Sequence, residues 1–200
     1  MMAKQLDACR TRLESYWAEM LAPLGRKDRR RWGQIYVRGL LLDGERKSVG
    51  AMVPRLPESD EQALQPFVSQ SPWSWEPVWE KLAASARQQT GEAFWVIDDT
   101  SFPKKGEHSV GVQRQYCGAL GKLANCQVAV SLHQAGPTGS WPLAWRLYLP
   151  ESWTEDQKRR TSVGIPPDVI FHKKWELALD LLDQARAWGV PDRIVLADAD

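Results

Sequence analysis

Phe94-Trp95-Val96-Ile97 runs into Asp98-Asp99-Thr100, and Ile194-Val195-Leu196-Ala197 runs into Asp198-Ala199-Asp200. These two stretches decide the fold. Each is a short apolar run that ends in carboxylates, which reads as a strand delivering acids to its end. A Gly- and Lys-bearing loop, Pro103-Lys104-Lys105-Gly106, follows the first run. Between the two runs, residues 109–117 are a candidate strand. Asn125–His133 alternates on Val128, Val130 and Leu132 and predicts a strand, and Trp141–Leu149 predicts another. Lys173–Trp188 predicts an amphipathic helix on Trp175, Leu177, Ala178, Leu181, Leu182 and Ala185, stopped by Gly189. Pro150–His172 is polar and proline-containing and gives no assignment.

Three successive strands, a helix crossover and a further strand are the opening of a ribonuclease H-like fold. The crossover makes the fourth strand of that order parallel to the first, and the two are expected to be neighbours. Upstream the pattern is helical throughout. Leu6, Cys9, Leu13, Trp17 and Met20 predict a helix over 3–22, and Trp32, Ile35, Tyr36, Leu40 and Leu41 a second with a basic start. A third is expected over Glu45–Leu56. A fourth carries Ala63, Leu64, Phe67 and Val68 with a cap at Ser59 or Asp60, and a fifth spans 75–89. The expected class is α+β: a helical region over 1–90 for DNA binding or dimerisation, then a mixed sheet with flanking helices over 91–200.

If the two acid-tipped strands are parallel neighbours, Asp98-Asp99 and Asp198 meet at one edge of the sheet. Carboxylates held that close repel and call for a cation. Hard oxygen ligands suit Mg²⁺ or Mn²⁺. Two such ions, ~3.5–4 Å apart, form the clamp used in phosphoryl transfer. Strand-end aspartates also occur simply because they bond nearby backbone N–H groups; it is the symmetrical placement on two expected neighbours that favours the metal.

Residues 94–133, from Phe-Trp-Val-Ile-Asp-Asp-Thr-Ser-Phe-Pro-Lys-Lys-Gly through Gln-Val-Ala-Val-Ser-Leu-His, resemble bacterial insertion-sequence transposases of the DDE superfamily endonuclease class. The resemblance continues through Pro142–Pro150, Lys174-Trp175-Glu176-Leu177-Ala178 and Val195–Asp200, and in the helical half through Gly44–Ser48 and Gln70–Trp73. It implies a ribonuclease H-like core with metal-binding Asp, Asp and Glu, two divalent ions, and cleavage and joining of DNA strands during transposition. The first acid matches Asp98 or Asp99. Asp99 is preferred because it directly precedes Thr100, as the single aspartate does in related elements. The second matches Asp198, with Asp200 as the alternate. The third, a glutamate on a later helix, has no position in these 200 residues. The resemblance therefore implies a core incomplete at its C-terminus, and a second reading: an inactive truncated transposase that binds DNA or pairs with intact enzyme.

The implied partner is double-stranded DNA, both the element's terminal repeats and the target, with a homodimer as a candidate assembly. Net charge is only +1, so local clusters must carry the contact. Arg26, Lys27, Arg29, Arg30 and Arg31 are the first cluster; Lys104, Lys105 and Arg114, just after the first acids, are the second. From charge alone the first reads equally as a solvated helix face. Lys158, Arg159 and Arg160 read as plain charged surface. Lys173 and Lys174 open a helix, where a cation gains nothing from the helix dipole, so they point to a ligand or partner acid nearby. Trp73, Trp75 and Trp79, and Trp141, Trp145 and Trp153, read as core before base-stacking platforms. Three scattered cysteines, with neither zinc spacing nor a disulfide framework, suit a reducing cytoplasm. No apolar run is long enough for a membrane span, so the expected location is the bacterial cytoplasm, on the nucleoid when DNA-bound.

Overall fold

Sheet strands appear where the apolar runs were, and a computed structural model describes them within residues 2–87 and 92–198, with side chains from residue 4. The chain divides into two compact units, Met1–Lys81 and Leu82–Asp200.

In the first unit, α1 (Met2–Met20), α2 (Lys27–Leu41), α3 (Val49–Met52), α4 (Glu61–Ser69) and the start of α5 (Glu76–Ala86) are helices, as their periodicity dictates. Their core is Trp17, Leu21, Leu24, Ile35, Val49, Met52, Leu56, Leu64 and Phe67. The apolar stripe of α1 is buried only at its end: Trp17 and Met20 are covered, whereas Leu6 and Leu13 are exposed. The third helix is shorter than its pattern suggested. Arg55 donates to the carbonyls of Asp43 and Arg46 and holds the Gly44 turn, so residues 45–48 stay out of the helix. At α4 the cap is Asp60, whose carboxylate accepts from Gln62 N at 2.9 Å; Ser59 donates to Leu56 O instead.

Gly39 is where α2 passes closest to its neighbour. A Cβ there would lie 2.9 Å from Met52 Sδ and 3.0 Å from Leu56 Cδ1. Gly39→Ala is therefore expected to destabilise the protein by about 1–2 kcal/mol, overpacking outweighing alanine's better helix propensity. A urea melt checks it, and a variant as stable as the parent would contradict the close approach.

The second unit is built on five strands: β1 (Phe94–Pro103), β2 (Gln113–Cys117), β3 (Lys122–Gly136), β4 (Gly139–Leu147) and β5 (Ile194–Ala197). The sheet order is β2-β3-β1-β5, with β4 also paired to β3. β3 is long enough to hold β2 along 122–126 and β4 along 129–136. β1 runs antiparallel to β3 and parallel to β5, as the crossover through α8 (Lys174–Ala187) requires. This is the expected ribonuclease H-like α+β arrangement, with β2 as an additional strand on the far end of β3.

Trp95, Val130, Leu132, Leu143 and Ala144 from the sheet pack with Leu177, Ala178, Leu181 and Ala185 of α8. Ala83 and Ala86 of α5 join them, and Gln134 Nε2 reaches Ala86 O at 2.9 Å. The compact units thus part inside α5, while the sequence reading divided the chain at 90/91, where residues 88–91 lie outside the described residues. Two segments differ from expectation. β1 does not stop at the acids but continues through Ser101↔Val128, Phe102↔Gln127 and Pro103↔Cys126. Within Pro150–His172 stand two short helices, α6 (Glu151–Thr154) and α7 (Gln157–Val163).

Candidate metal centre

The pleat of β1 sends successive side chains to opposite faces. Trp95 is buried with α8, and Ile97 packs against the same core. Asp99 is next on that face. Its carboxylate is ion-paired with Lys174 Nζ at the first turn of α8, both side chains about half-exposed. The lysine whose place at a helix start pointed to a nearby acid has found one.

Val96, Asp98 and Thr100 occupy the other face. With Ser131, His133, Ala135, Ser140 and Trp145 they line a cavity of ≈ 360 Å³. Asp98 is held twice through its own residue: its Oδ1 accepts from Asp99 N at 2.7 Å, and its carbonyl accepts from Ser131 Oγ at 3.1 Å. His133 stands 3.2 Å from Ser140 Oγ, with its ring 5.9 Å from that of Trp145. Burial pushes the His133 pKa below its ordinary value and the Asp98 charge opposes the shift. The histidine forms part of the cavity wall.

β5 brings the second acid. Its last registered pair with β1 is Ile97↔Ala197; Asp98 follows within β1, and Asp198 directly follows the end of β5. Asp98, Asp99 and Asp198 are all exposed. The paired segment thus ends just before Asp98-Asp99 on one side and Asp198 on the other. Asp200 lies outside the described residues.

The second basic cluster is assembled around Asn125. Its Nδ2 donates to Lys104 O at 3.2 Å and Gly106 O at 2.7 Å, fixing the turn that carries Lys104 and Lys105. Arg114 sits opposite Asn125 in the β2–β3 register and is exposed. Asn125 and Arg114 line a groove of ≈ 510 Å³ with Glu107, His108, Asp156 and Arg159. Arg159 was read as plain surface, but its guanidinium lies 3.4 Å over the Trp153 ring and donates to Glu107 O at 2.9 Å. Arg160, read the same way, is buried. It donates to Thr154 O, Pro166 O and Pro167 O, so the charge is solvated by carbonyls rather than by water. Nothing in the local sequence separated these arginines from a solvated face.

In the other unit, the first basic cluster opens α2. Arg26 pairs with Asp28 at 3.1 Å, Arg31 lies 4.8 Å over the Trp32 ring, and Lys27, Arg29 and Arg30 occupy the first turn. Trp73 stacks on Phe67 and donates to its carbonyl at 3.1 Å, and Trp153 is fully buried, so both are core residues. Among the described residues no helix is long and apolar enough to cross a membrane.

A family model described as DDE superfamily endonuclease matches residues 19–200. A probable transposase for insertion sequence element IS701 from Microchaete diplosiphon is 29% identical over 163 residues, which cover 80% of this chain and 40% of the relative. The chain thus spans about 40% of the length of that relative. No solved structure matches the chain.

Proposed function

The chain belongs to the DDE superfamily endonuclease family, and on that premise we propose that it serves an insertion-sequence transposase in which Asp99 and Asp198 hold divalent ions for DNA cleavage and strand transfer. The observation that supports this reading is the parallel pairing of β1 with β5, whose last pair, Ile97↔Ala197, is followed directly by Asp98-Asp99 on one side and Asp198 on the other. The similarity to the IS701 transposase supports the choice of DNA as substrate.

The residues fit Mg²⁺ or Mn²⁺ in the mode such ions favour. Mg²⁺ keeps several waters and is commonly held by one or two carboxylates together with substrate phosphates. Exposed aspartates on neighbouring strands suit that mode, even though no group of three His, Cys, Asp or Glu among the described residues forms a closed site. The ammonium of Lys174 on Asp99 marks the same demand for positive charge. When bound, the two ions supply charge neutralisation of the phosphodiester and activation of a water or 3′ hydroxyl. Asp99 and Asp198 fix where that charge sits, with Asp98 as the alternate to Asp99, and no protein nucleophile is required. Lys104, Lys105 and Arg114, on the turn and strand that follow, hold backbone phosphates in register. The basic start of α2 grips the element ends, with the helical unit as the DNA-binding or dimerising part.

Calorimetric titration of Mn²⁺ into the parent chain, Asp99→Ala and Asp198→Ala tests this. Removing one carboxylate from a divalent ion is expected to weaken binding roughly tenfold or more in each variant. Unchanged affinity in both variants would remove the two aspartates from the site.

A further inference from the structure

We infer that Lys174 is a positioning residue that takes the place of the cation at Asp99 in the ion-free protein and gives up that carboxylate when a divalent ion enters. The inference rests on the reading of Asp99 as a metal ligand and goes beyond it, because it assigns a role to a residue outside the acids.

Four features of the structure carry it. The pair joins residues 75 positions apart, so it is made by the fold and not by local sequence. Lys174 is the first residue of α8, at the positive end of the helix dipole, where an ammonium is disfavoured unless an anion faces it. The acid in that turn does not supply the anion: Glu176 Oε2 accepts from Lys173 N at 2.6 Å and is committed to capping the helix. Asp99 therefore supplies the neutralising charge. Finally, the pair is about half-exposed, which makes it weak and readily exchanged for a stronger cation. The displaced ammonium has somewhere to go. The Tyr148 ring already lies 5.9 Å from Nζ in the paired pose and can keep the ammonium when Asp99 is given up, and the four-carbon stem can turn the charge toward a phosphate beside the ions.

The consequence is competition. While Lys174 holds Asp99, that carboxylate is partly neutralised without metal, and an entering ion must displace the ammonium. Its displacement frees a positive charge at the edge of the sheet where the substrate phosphate would arrive.

The test compares the parent chain with Lys174→Met and Lys174→Arg, by Mn²⁺ calorimetry and by melting temperature in chelator and in Mn²⁺. Lys174→Met is expected to bind Mn²⁺ about fivefold tighter than the parent, as removal of a half-exposed competing ion pair implies. It should melt lower than the parent in chelator and gain more from Mn²⁺. Lys174→Arg keeps the competitor and should bind as the parent does, which also excludes a general packing effect. If the parent binds Mn²⁺ and Lys174→Met binds it no tighter, this inference falls while the metal site stands. If neither the parent nor Lys174→Met binds, the metal reading of Asp99 falls and takes the inference with it.

Discussion

Trp153→Ala is expected to destabilise the second unit by about 3–5 kcal/mol, the range for deleting a buried aromatic side chain. Trp153 is the anchor of a segment that has little else. α6 has 4 residues and α7 has 7, far below the length at which a helix holds itself together in water. What fixes them is tertiary: the indole is fully buried, Nε1 donates to Val112 O at 2.8 Å, and Arg159 covers the ring. Removing the indole leaves a cavity, orphans the Val112 carbonyl and frees Arg159, whose bond to Glu107 O shapes the groove beside Arg114. Trp153→Phe keeps most of the apolar area and loses the N–H bond, so its cost should be smaller, about 1–2 kcal/mol. Urea unfolding of both variants checks the pair. A loss below about 1 kcal/mol for Trp153→Ala would mean that this segment is held by something other than its tryptophan.

The same segment shows where sequence reading ran out. α8 and β3 were legible because the period of their apolar residues matches the element and the buried face alike: Leu177, Ala178, Leu181 and Ala185 on the helix, Val128, Val130 and Leu132 on the strand. The neighbouring of β1 and β5 was legible because both apolar runs end in acids and a helix lies between. α6 and α7 carry no such period, since one tryptophan and one buried arginine do the work of a stripe. The extension of β1 to Pro103 was hidden because Asp98-Asp99-Thr100 resembles a strand end, whereas pairing with β3 carries the strand onward. Which aspartate stands level with Asp198 depends on a register of one residue, and a one-residue step moves a side chain to the other face. Adjacency to Thr100 points to Asp99, and the β1–β5 register ends at Ile97↔Ala197, before either aspartate. The partner of Lys174 was half legible: a lysine at the wrong end of a helix predicted an acid, but only the fold identified it as Asp99.

Replacing Arg29, Arg30 and Arg31 together by alanine is expected to flatten the salt dependence of DNA binding by a slope of about 2.7 in log K against log salt, since each phosphate neutralised contributes about 0.9. The three residues are the better choice within the cluster. Arg26 already spends part of its charge on Asp28, whereas Arg29 and Arg30 lie in the first turn of a 15-residue helix, whose exposed N–H groups and dipole also favour an anion. The Arg31 guanidinium lies over the Trp32 ring and donates to Glu58 O at 3.4 Å, on an exposed residue. Between about 50 and 200 mM salt the parent should lose roughly 40-fold more affinity than the variant, measured by fluorescence anisotropy on a labelled duplex. Because these arginines contact phosphate and not base edges in this account, the loss should be similar on element-end and unrelated duplexes. A matched variant, Lys104→Ala with Lys105→Ala, separates the two units. If it flattens the slope and the α2 variant does not, DNA is held by the turn after β1 and the basic start of α2 is a solvated helix face. If both flatten it, both clusters contact phosphates, and the combined variant should lose the sum of the two slopes.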